Sequence, residues 1–288
     1  MYLEFHGLKL QPFDNTADPR FLYASEDHRE ALASIEYTVR MRKGMVLISG
    51  EIGAGKTTIS RAIQQRLKET TRMVFVREAP RTPRELLHHI CRAMDLGVAA
   101  SADRGSLLAA IEENLLEHHR HNRPVVLLID EAQMLSPSVL DEVRLLSNIE
   151  TSTAKLLQIV LVGQPELRQM VQSARMNALR QRIVLGHHLQ PLSRADTGNY
   201  IRHRLNVAAE DETCRVSFDE DAIDALYGYA HGVPRLINVV ADNCLLVAFV
   251  RSRHRIDRPV VEAVLQTLVP GGQTEAWEPK LVEHRQAA

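Results

Sequence analysis

Hydrophobic positions along the chain alternate between two kinds of segment. Short β-branched runs at Met45–Ser49, Met73–Arg77, Val125–Ile129, Leu156–Val162 and Ile183–His188 read as strands. VVLLI and LLQIVLV are apolar without interruption, as strands buried on both faces are. Longer segments between them, Lys56–Lys68, Pro83–Met94, Ser106–His119, Pro137–Ile149 and Pro165–Val171, carry helical spacing. This alternation predicts an α/β fold, a five-stranded parallel sheet flanked by helices. After Pro191 the pattern changes. Ser193–Ala208, Asp219–Ala230, Pro234–Val250 and Arg258–Leu268 all read as helices with no strand between them. The expected organisation is an α/β domain over residues 1–191, an all-helical domain over 192–269 and a flexible polar tail over 270–288 that holds the single Trp277.

Two motifs give this frame its chemistry. Gly50-Glu51-Ile52-Gly53-Ala54-Gly55-Lys56-Thr57 fits G-x-x-x-x-G-K-[ST], with a strand pattern before it and a helix pattern after it. Glycines let backbone amides wrap phosphate oxygens, and the helix N-terminus adds partial positive charge. Lys56 is expected to reach the β- and γ-phosphates and Thr57 to ligate Mg²⁺, with Thr58 the next residue of the helix. The second motif, Val125–Ile129 followed by Asp130-Glu131, ends a buried strand in two carboxylates. Asp130 is expected to hold Mg²⁺ and Glu131 to act as the base or orienter for an attacking water. Together they imply an ATP- and Mg²⁺-dependent nucleoside triphosphatase, and the Asp-Glu pair favours hydrolysis over transfer to a small acceptor.

These pieces resemble the AAA+ ATPases, and within them the ExeA/GspA-like secretion ATPases. The resemblance rests on FHGLKLQPFDNTADPRFLYASEDHREAL, GEIGAGKTT, VVLLIDEAQ, IVLVGQPEL, LRQRI and GVPRLIN, and spans about residues 1–268. It implies an AAA+ P-loop fold with a helical lid. It implies that Gln164 is the γ-phosphate sensor and Arg235, after Gly232-Val233-Pro234, the second sensor. Arg182 in LRQRI takes the place of an arginine finger supplied to a neighbouring subunit, with Arg180 and Arg175 as alternatives. Residues 1–40 become an adenine-side segment, with Pro12, Phe13 and the helix from His28 at the base; Phe13 and Phe21 packing the N-terminal arm onto the sheet is the competing account.

Composition narrows the picture. Apolar residues make up 45% and charged residues 25%, the balance of a globular protein. A net charge of −1 gives no bulk attraction to nucleic acid or acidic lipid. The run Arg251-Ser252-Arg253-His254-Arg255, with Arg258 nearby, reads either as a contact for duplex DNA phosphates or as a solvated helix end, and a looser cluster of Arg77, Arg81 and Arg84 is the alternative contact. Three cysteines, Cys91, Cys214 and Cys244, fit a reducing cytoplasm rather than a disulfide scaffold. Adjacent histidine pairs make poor chelating sites, because neighbours on a helix do not face each other. Neither a signal peptide nor a transmembrane segment is expected. The expected partners are further copies of the chain in a ring or filament, together with a component of a cell-envelope machine. A transposase and DNA, as in the IstB/TniB/TnsC type, form the alternative; a slow nucleotide-switched scaffold is the third reading.

Overall fold

The computed structural model describes residues 1–76, 78–209 and 215–268. Arg77, Cys214 and the expected tail with Trp277 lie outside the described residues.

A short helix α1 (Tyr2–His6) and an arm lead to α2 (Glu26–Arg40). Then follow β1 (Met45–Gly50), α3 (Lys56–Leu67), β2 (Arg72–Val76), α4 (Pro83–Ala93), α5 (Arg104–Arg120) and β3 (Val125–Ile129). The α/β part continues through α6 (Pro137–Leu146), β4 (Leu157–Gly163), α7 (Pro165–Gln172), α8 (Asn177–Arg180) and β5 (Ile183–Leu189). The five strands are all parallel in the order β2-β3-β4-β1-β5.

Alternation along the strands decides which helices cover which face. Leu47, Leu127, Ile129, Ile159 and Leu161 share one buried cluster with Leu86, Ile90, Ile111 and Val143 of α4, α5 and α6. Val46, Ile48, Val126, Leu128, Val160 and Val162 point the other way, onto Leu32 and Ile35 of α2 and Ile59 and Ile63 of α3. Local chemistry starts the helices where it should: Ser25, Thr82, Asp103, Ser136 and Ser193 each accept a first-turn N–H. Asp103 moves the start of α5 to Arg104, two residues ahead of the sequence expectation.

The C-terminal region contains α9 (Arg194–Ala208), α10 (Glu220–Ala230), α11 (Pro234–Val250) and α12 (Arg258–Leu268). It is not wholly helical. β6 (Ser217–Phe218) and β7 (Arg255–Ile256) pair in parallel. A two-residue strand is too short to show a period in the sequence; buried Val216 and Ile256 anchor these segments on the helices.

The arm corrects a second expectation. α2 packs on the sheet, as the placing of residues 1–40 in the α/β domain requires, but residues 1–13 lie on the C-terminal helices, and the turn Pro19–Phe21 touches both α3 and α9. Leu8, Phe13 and Phe21 enter the same cluster as Leu205, Leu226, Ile237 and Val261 of the C-terminal helices. Polar contacts reinforce this: Tyr2 Oη donates to Asp242 at 2.7 Å, and the Lys9 N–H to the Ala208 carbonyl at 2.8 Å. The arm carries apolar residues without a helix or strand of its own to hide them, and the helical body supplies the missing surface.

Candidate functional site

β1, β3 and β4 run side by side, Ser49 level with Gly163 and Ile129 with Leu161, so their carboxyl ends open on one edge of the sheet. Ligands of open α/β sheets bind at this edge. β1 delivers the Gly50–Thr57 loop, β3 delivers Asp130 and Glu131, and β4 delivers Gln164 as N-cap of α7. Pro165 and Pro234 at first helical positions fix the starts of α7 and α11, and Arg235 follows the second.

A cavity of about 400 Å³ is lined by Gly53, Gly55, Lys56, Thr57, Thr58, Glu131, Gln164 and Arg235, with Thr16, Tyr200, Arg204 and Asn238 from the arm and helical body. Gly50, Glu51 and Ala54 complete the loop without lining it; Ala54 is buried behind it. The loop closes tightly. Gly53 has φ +83°, and a Cβ there would meet the Arg235 Cβ at 2.6 Å. Gly55 has φ +93°, and a Cβ there would meet His28 Nε2 at 2.9 Å. Glycine is therefore required twice over, by torsion and by space.

Lys56 is 7% exposed and donates Nζ–H bonds to the Gly50 and Glu51 carbonyls, each at 2.8 Å. Burial holds its ammonium below the usual lysine range, and the nearby carboxylates of Glu131, Asp130, Glu51 and Glu166 oppose that. Asp130 is half-buried, its carboxyl pushed up first by burial and also by Glu131, while Lys56 and a bond from the Glu131 N–H pull it down. A neighbouring groove brings Thr57 together with Asp130 and Glu131. A hydroxyl beside a carboxylate short of compensating charge is a donor set suited to a hard cation such as Mg²⁺. Among the described residues no group of three or more His, Cys, Asp and Glu is placed to hold a metal ion by itself.

Glu131 adopts a left-handed backbone, φ +50°, uncommon for a side-chain-bearing residue. Its Oε2 accepts from Gln133 Nε2 at 2.5 Å and from Gln164 Nε2 at 3.3 Å. His28 is buried. Ser25 Oγ and His28 Nδ1 lie 2.6 Å apart, and burial lowers the imidazole pKa. It lines a narrower pocket with Thr16, Leu22, Tyr23, Gly55, Thr58, Leu192, Tyr200 and Pro234. Phe13, expected beside the base, lines neither this pocket nor the larger cavity. It is 2% exposed and packs edge-on to Phe218, 6.2 Å between ring centres.

Arg182 is exposed just before β5, whose Ile183 pairs with Met45 at the start of β1. That is the opposite edge of the sheet from Lys56, so Arg182 cannot serve the site of its own chain. It lies near Glu150, which is paired with Lys155. Arg180 lines a separate hollow with Arg168, Gln172 and His187, and Arg175 is exposed.

Sequence reading missed Arg204, Tyr200, Asn238 and Gln133. Arg204 is 5% exposed; its guanidinium donates to the Pro12 carbonyl, to the Asp14 carbonyl at 3.0 Å and to Tyr200 Oη at 2.7 Å, and stands 4.8 Å from the Phe21 ring centre. The available signal was a Tyr and an Arg four apart within the apolar stripe of α9.

A phosphate-type loop, an acidic strand end beside it and a helical body over the cavity define a P-loop nucleotide-binding protein of the AAA class. The comparisons agree: residues 39–171 match a family described as an AAA domain. The chain is 41% identical over 256 residues to General secretion pathway protein A of Aeromonas hydrophila, an alignment that covers 89% of this chain and 46% of that protein. The chain thus spans about half the length of this relative. It belongs to the AAA+ proteins, in the ExeA/GspA-like group. Solved structures share the fold: Cdc6p from Pyrobaculum aerophilum (TM-score 0.67, 16% identity, 91% of this chain and 72% of that chain) and the Aeropyrum pernix ORC2 protein in its ADPNP-ADP complexes (TM-score 0.66, 16% identity, 89% and 71%). A Thermotoga maritima RuvB variant is more distant, at TM-score 0.56, 18% identity, 91% and 74%.

Proposed function

We propose that the chain binds ATP with Mg²⁺, hydrolyses it as an oligomer, and serves the assembly of a cell-envelope machine from the cytoplasmic side. The observation that carries the chemistry is the convergence of Lys56, Glu131, Gln164 and Arg235 on one cavity. The kinship to General secretion pathway protein A supports the envelope role. Among the described residues no helix is long and apolar enough to cross a membrane.

Lys56 exchanges its two carbonyl acceptors for phosphate oxygens, a stronger charge-assisted pairing. Thr57 and Asp130 hold Mg²⁺, which supplies charge neutralisation at the phosphates. Glu131 orients a water and takes its proton. Gln164 reads the terminal phosphate by its side-chain amide, and Arg235 carries that information to the helical body. Arg182 is presented to the neighbouring subunit's site.

The test is the Glu131→Gln protein. ATP binding should persist while turnover falls about 10²- to 10⁴-fold, the usual worth of a general base. Imaging this variant with ATP, with and without duplex DNA, addresses the assembly. Closed rings indifferent to DNA support the envelope reading; filaments or rings formed only on DNA would replace it with the transposition-type reading. Mixing Arg182→Ala with Lys56→Ala subunits should restore part of the turnover, since finger and pocket then come from different chains. Absence of rescue at every ratio counts against Arg182.

A further inference from the structure

Gln133 lies in the Ala132–Met134 turn just past β3, half-buried, outside the phosphate loop and outside every expected site. Its amide uses both ends. Nε2 donates to Glu131 Oε2 at 2.5 Å, and Oε1 accepts the Gln164 backbone N–H at 3.0 Å. Gln164 Nε2 reaches the same Glu131 oxygen at 3.3 Å. A small loop results, running from the carboxylate through Gln133 to the end of β4 and back through the Gln164 side chain. Both side-chain donors fall on Oε2; among the described residues none is recorded on Oε1.

The backbone leaves room for this arrangement. A Cβ at Gly163 would come within 2.8 Å of both Gln133 Oε1 and Leu167 Cδ2, so glycine at the last position of β4 gives the amide its place. Glu131 itself is exposed, with three side-chain rotors and a left-handed backbone. Left alone, such a carboxylate samples many orientations. Among neutral side chains, an amide offers both a donor and an acceptor in fixed relation, which is what a bridge between a carboxylate and a backbone N–H requires.

We propose that Gln133 is a positioning residue: it pins Oε2 of Glu131 to the end of β4, so that Oε1 alone is presented to water and the base keeps one fixed relation to Gln164. The inference rests on the hydrolysis reading above. Gln133 does not line the cavity; it acts through Glu131.

The experiment uses the full chain with Gln133→Glu and, as a second variant, Gln133→Met. Gln133→Glu keeps the acceptor for the Gln164 N–H but replaces the donor with a like charge facing Glu131. Gln133→Met keeps the volume and loses both bonds. ATP affinity and single-turnover hydrolysis are measured on each, with melting temperature as the check on folding. Both variants should bind ATP within about twofold of wild type and hydrolyse it about 10- to 100-fold more slowly, the scale of a small misplacement of a reacting group. Combining Gln133→Met with Gln164→Met should cost less than the product of the single losses, because both amides act on one oxygen. Wild-type turnover in Gln133→Glu, or a loss of turnover matched by an equal loss of binding, overturns the role. Absence of turnover in the unaltered protein overturns the hydrolysis reading and this role with it; an active protein indifferent to Gln133→Glu overturns this role alone.

Discussion

The wall of the cavity that we assign to the phosphates is drawn from one short stretch, Ile52–Thr58, whereas the facing wall joins Thr16 of the arm to Tyr200, Arg204 and Asn238 of α9 and α11. Arg204 and the Asp14 carbonyl it bonds are 190 positions apart. The first wall works through backbone amides, a helix end and one ammonium, so its chemistry is local and fixed by glycines. The second works through side chains that meet only after the arm has docked on the helical body. One wall therefore tolerates change elsewhere in the chain, and the other depends on the whole tertiary arrangement.

The comparison breaks most sharply at Lys56. Lys56→Ala should weaken Mg²⁺·ATP and Mg²⁺·tripolyphosphate alike, by about 100-fold or more, since truncating one member of a buried charge pair costs roughly 2–5 kcal/mol. Calorimetric titration of both ligands checks it. Next comes the seam between the walls. Gly53→Val puts a branched side chain onto the Arg235 Cβ at 2.6 Å and into a φ of +83°. Affinity for both ligands should fall about tenfold, with α11 displaced from the loop; unchanged binding would show that the seam is loose. Leu22→Ala trims the facing wall at the narrower pocket. Roughly 1 kcal/mol of apolar contact is lost, so ATP should bind about fivefold more weakly while tripolyphosphate is unaffected.

The smallest effect is acid sensitivity. Burial lowers the pKa of His28 behind the loop and of His6 of α1, where it docks on the helical body, each from an ordinary 6.5. The unfolded chain then takes up protons first as pH falls below 6.5, so stability declines from there until the folded imidazoles titrate. His28→Gln should flatten part of the fall in melting temperature between pH 7 and pH 5. A slope identical to that of the unaltered protein would remove His28 from the account.

Legibility in the sequence follows the same division. VVLLI and LLQIVLV declared buried parallel strands, and the P-loop spacing put the Gly50–Thr57 loop at the junction of β1 and α3, where it lies. Gln164 and Arg235, carried over by family resemblance, do line the cavity. Phe13 was misread because an aromatic beside a proline does not say which surface will cover it; the helical body does. Gln133 was passed over inside VVLLIDEAQ because its role depends on β4 lying beside β3. β6 and β7 carry no period to read, and Arg204 lay hidden as one more arginine on a helix.

The central claim is that both walls hold one nucleotide, phosphates on the loop and base on the facing side. Parallel titration of Mg²⁺·ATP and Mg²⁺·tripolyphosphate into the unaltered protein, Lys56→Ala and Leu22→Ala tests it most directly. The account predicts that Lys56→Ala loses both ligands and Leu22→Ala weakens ATP alone. ATP binding that survives Lys56→Ala unchanged, or tripolyphosphate weakened by Leu22→Ala as much as ATP, would contradict it.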